Sequence, residues 1–288
     1  MVESPLESTV GLDTDVLFVA FNRPEYTKKS LPALLDSARE GVRVWIWQNG
    51  PDPATLEVVR RYRDHPSVHR YHESPENMGL YPALQWVLTE GQGQYVSKVD
   101  DDCLLPLDWI ARLTDLHARN PEVGVLGCWR FQEEDFDEAL AAKKLREIHG
   151  AHLLENLWVE GSGFLLKRSA LEQVGGLRSK EWMPSLFKRV ARAGYRNGWV
   201  YPFINQDHMD DPRSPNTQLR CDADLEGALP ISAKVTGVRT LADWDAQLRN
   251  SARFVQSAST DLRDYFGFVP TLRGWWRAVK LWCRRQSL

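Results

Sequence analysis

Between Asp15 and Asp102 the chain alternates strand-length apolar runs with segments of helical spacing. This limits the fold to an α/β architecture, a mainly parallel sheet with helices on its faces. The run Asp15-Val16-Leu17-Phe18-Val19-Ala20-Phe21 is apolar after its first residue, the pattern of a strand covered on both sides. It breaks at Asn22-Arg23-Pro24-Glu25. A helix capped by Ser30, with Pro32 in its first turn, would bury Leu31, Leu34, Leu35 and Ala38. Val42 to Trp47 reads as the next strand, followed by the turn Asn49-Gly50-Pro51 and a helix capped by Asp52 that turns Leu56, Val59 and Tyr62 inward. Ser67 to Tyr71 reads as a third strand. A helix burying Leu80, Leu84, Val87 and Leu88 then leads to a fourth, Gln94 to Asp102. Ligands of such sheets gather at the carboxyl ends of the strands, where Asn22, Gln48, Asn77 and Asp100 fall.

The fourth strand ends in three consecutive carboxylates, Asp100, Asp101 and Asp102. Each raises the cost of ionising the next, and a hard divalent cation with oxygen ligands relieves that repulsion. Alternation along an extended segment would turn Asp100 and Asp102 one way and Asp101 aside, a spacing suited to a metal and a diphosphate. The plain alternative is an acidic loop that caps the next helix.

Composition narrows the function. The 288 residues, 43% hydrophobic and 26% charged, suffice for a substantial core. A net charge of −3 supplies no basic field, so nucleic acid is not an expected partner. Cys103, Cys128, Cys221 and Cys283 form no C-x-x-C pair, which points away from a disulfide framework or a thiolate zinc site. No run has the length of a signal core or a membrane span, so the expected setting is cytoplasmic, soluble or peripheral to a membrane.

Further along, Pro106 to Arg119 reads as a helix with Trp109, Ile110, Leu113 and Leu116 inward, and Val123 to Gly127 as a strand. Residues 132–149, rich in Glu, Asp, Lys and Ala, read as an exposed excursion, a solvated helix or a lid. Trp199 to Ile204 reads as a strand, and Leu241 to Phe266 carries helical spacing in Leu248, Ala252, Val255 and Leu262.

The segments V-A-F-N-R-P-E, W-I-W-Q-N-G, E-N-M-G-L, K-V-D-D-D-C and W-V-E-G-S-G-F-L-L-K-R-S-A-L stand in order along the chain. In that order and spacing the chain resembles family-2 glycosyltransferases of the A-type, Rossmann-like fold, from about Asp15 to His208. The resemblance implies a catalytic domain over residues 1–211, which binds the nucleotide-sugar donor; beyond Pro212 it stops, and residues 212–288 read as a helical C-terminal extension on the acceptor side or peripheral to a membrane. It implies donor-binding positions at Ala20, Phe21, Asn22 and Arg23, at Asn77 and Gly79, and at Gly161 and Ser162 beneath the donor sugar. Where the family carries an aspartate facing the base, this chain has Gln48 or Asn49, which leaves the base open. Asp100 would lie near the ribose, with Asp101 in the same donor-binding group, and Asp102 on Mn2+ or Mg2+. His208 matches a histidine that joins the metal or diphosphate, and a lone structural histidine is the alternative. The acidic pair from which such enzymes draw a general base is missing near Trp182 and Met183. Glu181 is the nearest candidate, with Glu160, Asp210 and Asp211 next.

The expected activity is metal-dependent transfer of a sugar to an acceptor hydroxyl on a glycan, lipid-linked or protein acceptor, with inversion. A non-catalytic nucleotide-sugar-binding or scaffold protein is the alternative. A sugar nucleotidyltransferase fits less well, because Val19 to Glu25 lacks a glycine-rich loop followed by arginine. The tail Leu272 to Arg285 interleaves tryptophans with cations. That suits peripheral contact with the inner face of a membrane, or equally docking on the protein itself.

Overall fold

The seven residues Thr14–Ala20 are buried at every position, and this strand, β1, takes the centre of the sheet. The structure is a computed structural model that describes residues 13–228, 233 and 237–266. Beside β1 run β2 (Val42–Asn49) and β4 (Tyr95–Asp100), both parallel to it, with β3 (Val68–Ser74) parallel beyond β2. On the other side of β4, β9 (Phe164–Lys167) runs antiparallel between β4 and β6 (Val123–Gly127), and β10 (Arg196–Tyr201) returns parallel to β6. The hairpin β7 (Leu145–Ile148) and β8 (Ala151–Asn156) completes a nine-stranded sheet in the order β3-β2-β1-β4-β9-β6-β10-β8-β7. The mainly parallel α/β sheet expected from the alternation is the one observed.

Helices α1 (Pro24–Ser37), α2 (Pro53–Arg60), α3 (Leu80–Glu90) and α4 (Trp109–Arg119) connect the early strands. Alternate residues of β1 and β2, among them Val16, Phe18, Val44 and Ile46, share one apolar core with Leu31 and Leu35 of α1 and Trp109, Ile110 and Leu113 of α4. Asp52 caps α2 as expected, accepting from Thr55 N–H at 2.7 Å. At the amino end of β1, fully buried Asp15 accepts from Arg43 Nε, Trp45 Nε1 and Gly93 N–H, which ties strands and loop together opposite the carboxyl ends.

Several elements differ from expectation. α1 begins at Pro24 rather than at a Ser30 cap, because proline's fixed φ starts a helix directly after Arg23. Ser30 thus sits inside the helix, where its hydroxyl donates to the carbonyls of Tyr26 and Asp101. Leu80 is exposed at the start of α3, and Ala83 joins Leu84 and Val87 inside. Residues 132–149 are mostly exposed, as expected, but they are not one solvated helix. They form a 3-10 turn at Glu133–Asp135, a short helix α5 (Glu138–Ala141) and the edge strand β7, with Asp135 and Lys144 buried. Their charges have partners distant in sequence: Arg213 donates two bonds of 2.8 Å to Asp135, and Lys144 Nζ donates to Val255 O at 2.6 Å.

Two compact units divide the chain, residues 1–257 and 258–288. Residues 212–257, expected to begin an extension, therefore lie within the first. Trp244 on the helix Leu241–Ser257 donates from Nε1 to Asp210 O at 2.7 Å, and Gln256 donates to Asp135 O at 2.8 Å. In the second unit, a 3-10 turn at Leu262–Asp264 is capped by Asp261. Among the described residues no helix is long and apolar enough to cross a membrane. The tail 272–285 lies outside the described residues.

Candidate active site

The order of strands reverses between β1 and β4, and the crevice beyond the carboxyl ends of two such strands is where open α/β sheets bind ligands. Phe21, Asn22 and Arg23 leave β1 there, and Asp100 ends β4 beside them. The chain then turns at Asp101 and Asp102 instead of continuing extended, so strand alternation does not govern the three carboxylates. Each has its own surroundings.

Asp101 is buried, accepts from Phe21 N–H at 2.8 Å, and through its carbonyl accepts from Ser30; it locks the β1 exit to β4. Burial pushes its carboxyl well above the usual range, with Asp102 adding to that against the opposing pull of Arg23. Asp100 is more open and pairs with both its oxygens to Lys98 Nζ, two residues back on the same face of β4. Its N–H donates to Ser162 Oγ at 3.0 Å, which ties β4 to the loop before β9.

Asp102 faces a different set. After it the two-residue strand β5 (Cys103–Leu104) pairs antiparallel with β11 (Asp207–His208), and Cys103 stands opposite His208. This pairing carries His208 Nε2 to 3.7 Å from Asp102 Oδ2 and brings Asp210 alongside. One ligand atom from each of Asp102, His208 and Asp210 lies within 4.8 Å of the others. Arg23 Nη1 enters the same cluster, 2.8 Å from Asp102 Oδ2 and 2.7 Å from Asp210 Oδ2. Burial works to raise Asp102, but His208 and Arg23 outweigh it and hold the carboxyl far below the usual range. Burial, reinforced by Asp102, pushes Asp210 up to about 8. Burial also lowers the His208 imidazolium, so a neutral ring is favoured.

These residues fit a divalent metal. Two carboxylates and a neutral imidazole are a hard-to-borderline donor set. Asp210 Oδ1 is buried without a hydrogen-bond partner, leaving a lone pair free to ligate. In the sequence Asp210 stands only among the candidate bases; the acidic run Asp207-His208-Met209-Asp210-Asp211 is the signal, but only the β5–β11 pairing says which of its acids meets Asp102. Asp211 instead belongs to Arg213, at 2.8 Å.

The remaining expected positions divide. Phe21 presents an exposed ring edged by Gly50, and Asn22 takes the left-handed region at φ 53° to make the turn. Ala20 is wholly buried. Gln48 is also buried and donates to Gly50 O, while Asn49 accepts from Met78 N–H and donates to Asn77 Oδ1, which in turn accepts from Gly79 N–H. The amides of Asn49 and Asn77 thus hold the 75–79 loop against β2, and Gly79, at φ 72°, leaves an open approach to its backbone. Ser162 donates to Cys103 Sγ at 3.3 Å, and Gln206 Nε2 to the same sulfur at 2.9 Å. Gly161 faces Met183, the first residue of α7 (Met183–Arg192).

Glu181 stands apart from this cluster in its bonding. Arg189 Nε donates to Oε1 at 2.8 Å and Nη2 to Oε2 at 2.6 Å, and Arg178 N–H adds a bond of 2.9 Å. Burial works to raise it, but these bonds hold Glu181 below the ordinary range, which makes it a weak base.

The sequence matches the family described as Glycosyl transferase family 2 over residues 15–175, more than half of the chain. No curated protein matches it as a relative. Among solved structures it is similar to the mannosyltransferase PcManGT from Pyrobaculum calidifontis in complex with GDP-Man and Mn2+. The TM-score is 0.58 at 18% identity, over 93% of this chain and 80% of that one. It is also similar to S. aureus TarS 1-349 in complex with UDP-GlcNAc, with a TM-score of 0.49 at 14% identity, over 65% of this chain and 55% of that one. The sheet is the A-type glycosyltransferase fold.

Proposed function

The chain belongs to glycosyl transferase family 2, and on that premise we propose that it transfers a sugar from a nucleoside-diphosphate donor to an acceptor hydroxyl with inversion, the diphosphate sitting against a divalent metal held by Asp102, His208 and Asp210. The convergence of those three ligand atoms at the β1/β4 switch point is the observation that carries this reading. When bound, the metal supplies positive charge to the departing diphosphate. An imidazole among the ligands favours Mn2+ over Mg2+, which prefers an all-oxygen shell.

The chain's own residues do the rest. The Phe21 ring offers a face for the nucleobase beside the β1 exit, and the open backbone at Gly79 lies across the same crevice. Asp100, fixed by Lys98, is available to a ribose hydroxyl. Arg23 stands on the metal cluster with a permanent charge that burial does not remove, because Asp102, Asp210 and Asp101 more than offset the burial; it can shift toward a phosphate oxygen. Gly161 and Ser162 leave room for the donor sugar against the end of β4. Glycan, lipid-linked and protein acceptors all satisfy the chemistry. The tryptophan and arginine pattern of 272–285 supports a setting at the inner face of a membrane.

Calorimetry with GDP, UDP, GDP-Man and UDP-GlcNAc, each with Mn2+, with Mg2+ and without metal, tests the reading. One nucleotide is expected to bind tightly only with metal, and its sugar conjugate to be hydrolysed slowly without acceptor. Absence of metal-enhanced binding across the panel rejects the metal role. Binding without hydrolysis or transfer leaves a scaffold. Proton NMR of a transferred product reads the anomeric configuration, and retention excludes inversion.

A further inference from the structure

The acceptor side of this site is a second surface. Displacement with inversion is helped by a general base opposite the leaving diphosphate, and a carboxylate free to take a proton can serve. Most carboxylates around the crevice are committed: Asp101 to Phe21 N–H, Asp100 to Lys98, Asp102 and Asp210 to the metal cluster, Asp211 to Arg213, Glu181 to Arg189. Glu160 differs. Arg130 Nε lies 3.3 Å from Glu160 Oε2, yet that buried nitrogen makes no hydrogen bond, so the ion pair holds charge near charge without fixing the oxygens. The side chain keeps 22% exposure. Its loop is fastened at the site: Gly161 follows it, Ser162 accepts from Asp100 N–H, and Gly163 N–H donates to Lys98 O at 2.9 Å.

Across Gly161, a Cβ at that glycine would lie 3.8 Å from Met183 Cβ. Next to Met183 is Trp182, a residue 69% exposed, the most open of the large hydrophobic residues among the described ones. A saccharide stacked on this indole would take its exposed face out of water. The C–H face of a pyranose suits it, because those hydrogens carry partial positive charge and meet the negative face of the ring.

The geometry points to an acceptor subsite for a saccharide over Gly161, with Trp182 as the platform for its ring and Glu160 as the general base. It rests on the transferase reading above. The acceptor O–H bond breaks and its proton passes to a Glu160 oxygen. The acceptor oxygen bonds to the anomeric carbon as the bond from that carbon to the diphosphate oxygen breaks, and its electron pair leaves with the diphosphate.

The test uses the full chain, Mn2+, the donor identified by calorimetry and a panel of p-nitrophenyl glycosides. Glu160→Gln is expected to lower transfer by about a hundredfold or more while donor affinity stays within about twofold. Glu160→Asp, which keeps the charge beside Arg130, should recover part of the rate. Trp182→Ala should raise the glycoside KM by about tenfold with kcat little changed, and Trp182→Tyr should restore most of it. In 5-fluorotryptophan-labelled protein, the resonance lost in Trp182→Phe should shift on glycoside addition. Glu160→Gln transferring at the wild-type rate overturns the base. An unmoved Trp182 resonance, or no glycoside accepted while donor and Mn2+ bind, overturns the saccharide subsite. Failure of donor binding itself rejects the transferase reading instead.

Discussion

Arg23 Nη1 stands 2.8 Å from Asp102 and 2.7 Å from Asp210, so one guanidinium nitrogen serves a partly buried and a buried carboxylate that approach from chain positions far apart. A single positive charge does not neutralise both, and the carboxyl of Asp210 stays raised to about 8. A second cation is therefore electrostatically welcome in this cluster.

From this, Asp102→Asn should abolish the enhancement of nucleotide binding by Mn2+. The isosteric amide removes a ligand charge, and with it the carboxylate that Arg23 and His208 hold ionised, so the melting temperature should fall modestly while the chain stays folded. Calorimetry and a thermal melt on the same sample check both. Metal-dependent affinity equal to the wild type would return the acidic cluster to a structural role.

Glu181→Gln should act on stability and leave chemistry alone. The bidentate pair with Arg189 is nearly buried, and losing the carboxylate leaves an uncompensated guanidinium, at a cost on the order of 3 kcal/mol. Urea unfolding should show that loss, while turnover per folded molecule stays within about twofold. A hundredfold drop in turnover with unchanged stability would make Glu181 the base after all.

His117 should carry an acid-dependent part of the stability. It is buried, its Nε2 meets Leu165 O at 3.0 Å, and burial pushes the ring down to about 3. The unfolded ring titrates near 6.5, so between about pH 6.5 and 3 the unfolded chain binds a proton that the native chain refuses. The contribution is therefore whole above about pH 6.5 and falls by about 1.4 kcal/mol per pH unit below it. His117→Gln should flatten the pH dependence of urea unfolding between pH 6.5 and 4.5 by that amount. An identical slope in the two proteins refutes the assignment.

A chain cut after Thr240 should fail to fold. The helix Leu241–Ser257 buries Trp244, Leu248, Ala252 and Val255, and the larger of these each contribute roughly 1.5–3 kcal/mol, a sum comparable with the whole stability of a domain. A cut after Ser257, at the division between the compact units, is the control. Cooperative melting of the shorter chain at the wild-type temperature would show that the helix is dispensable.

What the sequence determined by itself was the repeating local pattern. Apolar runs, the Asp52 cap and the acidic tip of β4 report their own conformations, because strand burial, capping and charge repulsion act among near neighbours. The parallel sheet and the crevice at its carboxyl ends follow from that pattern. Partnership across the chain was not legible. Composition makes residues 132–149 read as solvated, which most of them are, but does not say that Asp135 and Lys144 turn inward to Arg213 and Val255. Proximity to the family's base position recommended Glu181, but its commitment to Arg189 is visible only once α7 is formed. The β5–β11 pairing alone selects Asp210 over Asp211 to stand with Asp102 and His208. Tertiary structure decided these points because a carboxylate's chemistry is set by the charges and donors within a few ångströms, and most of those come from elsewhere in the chain.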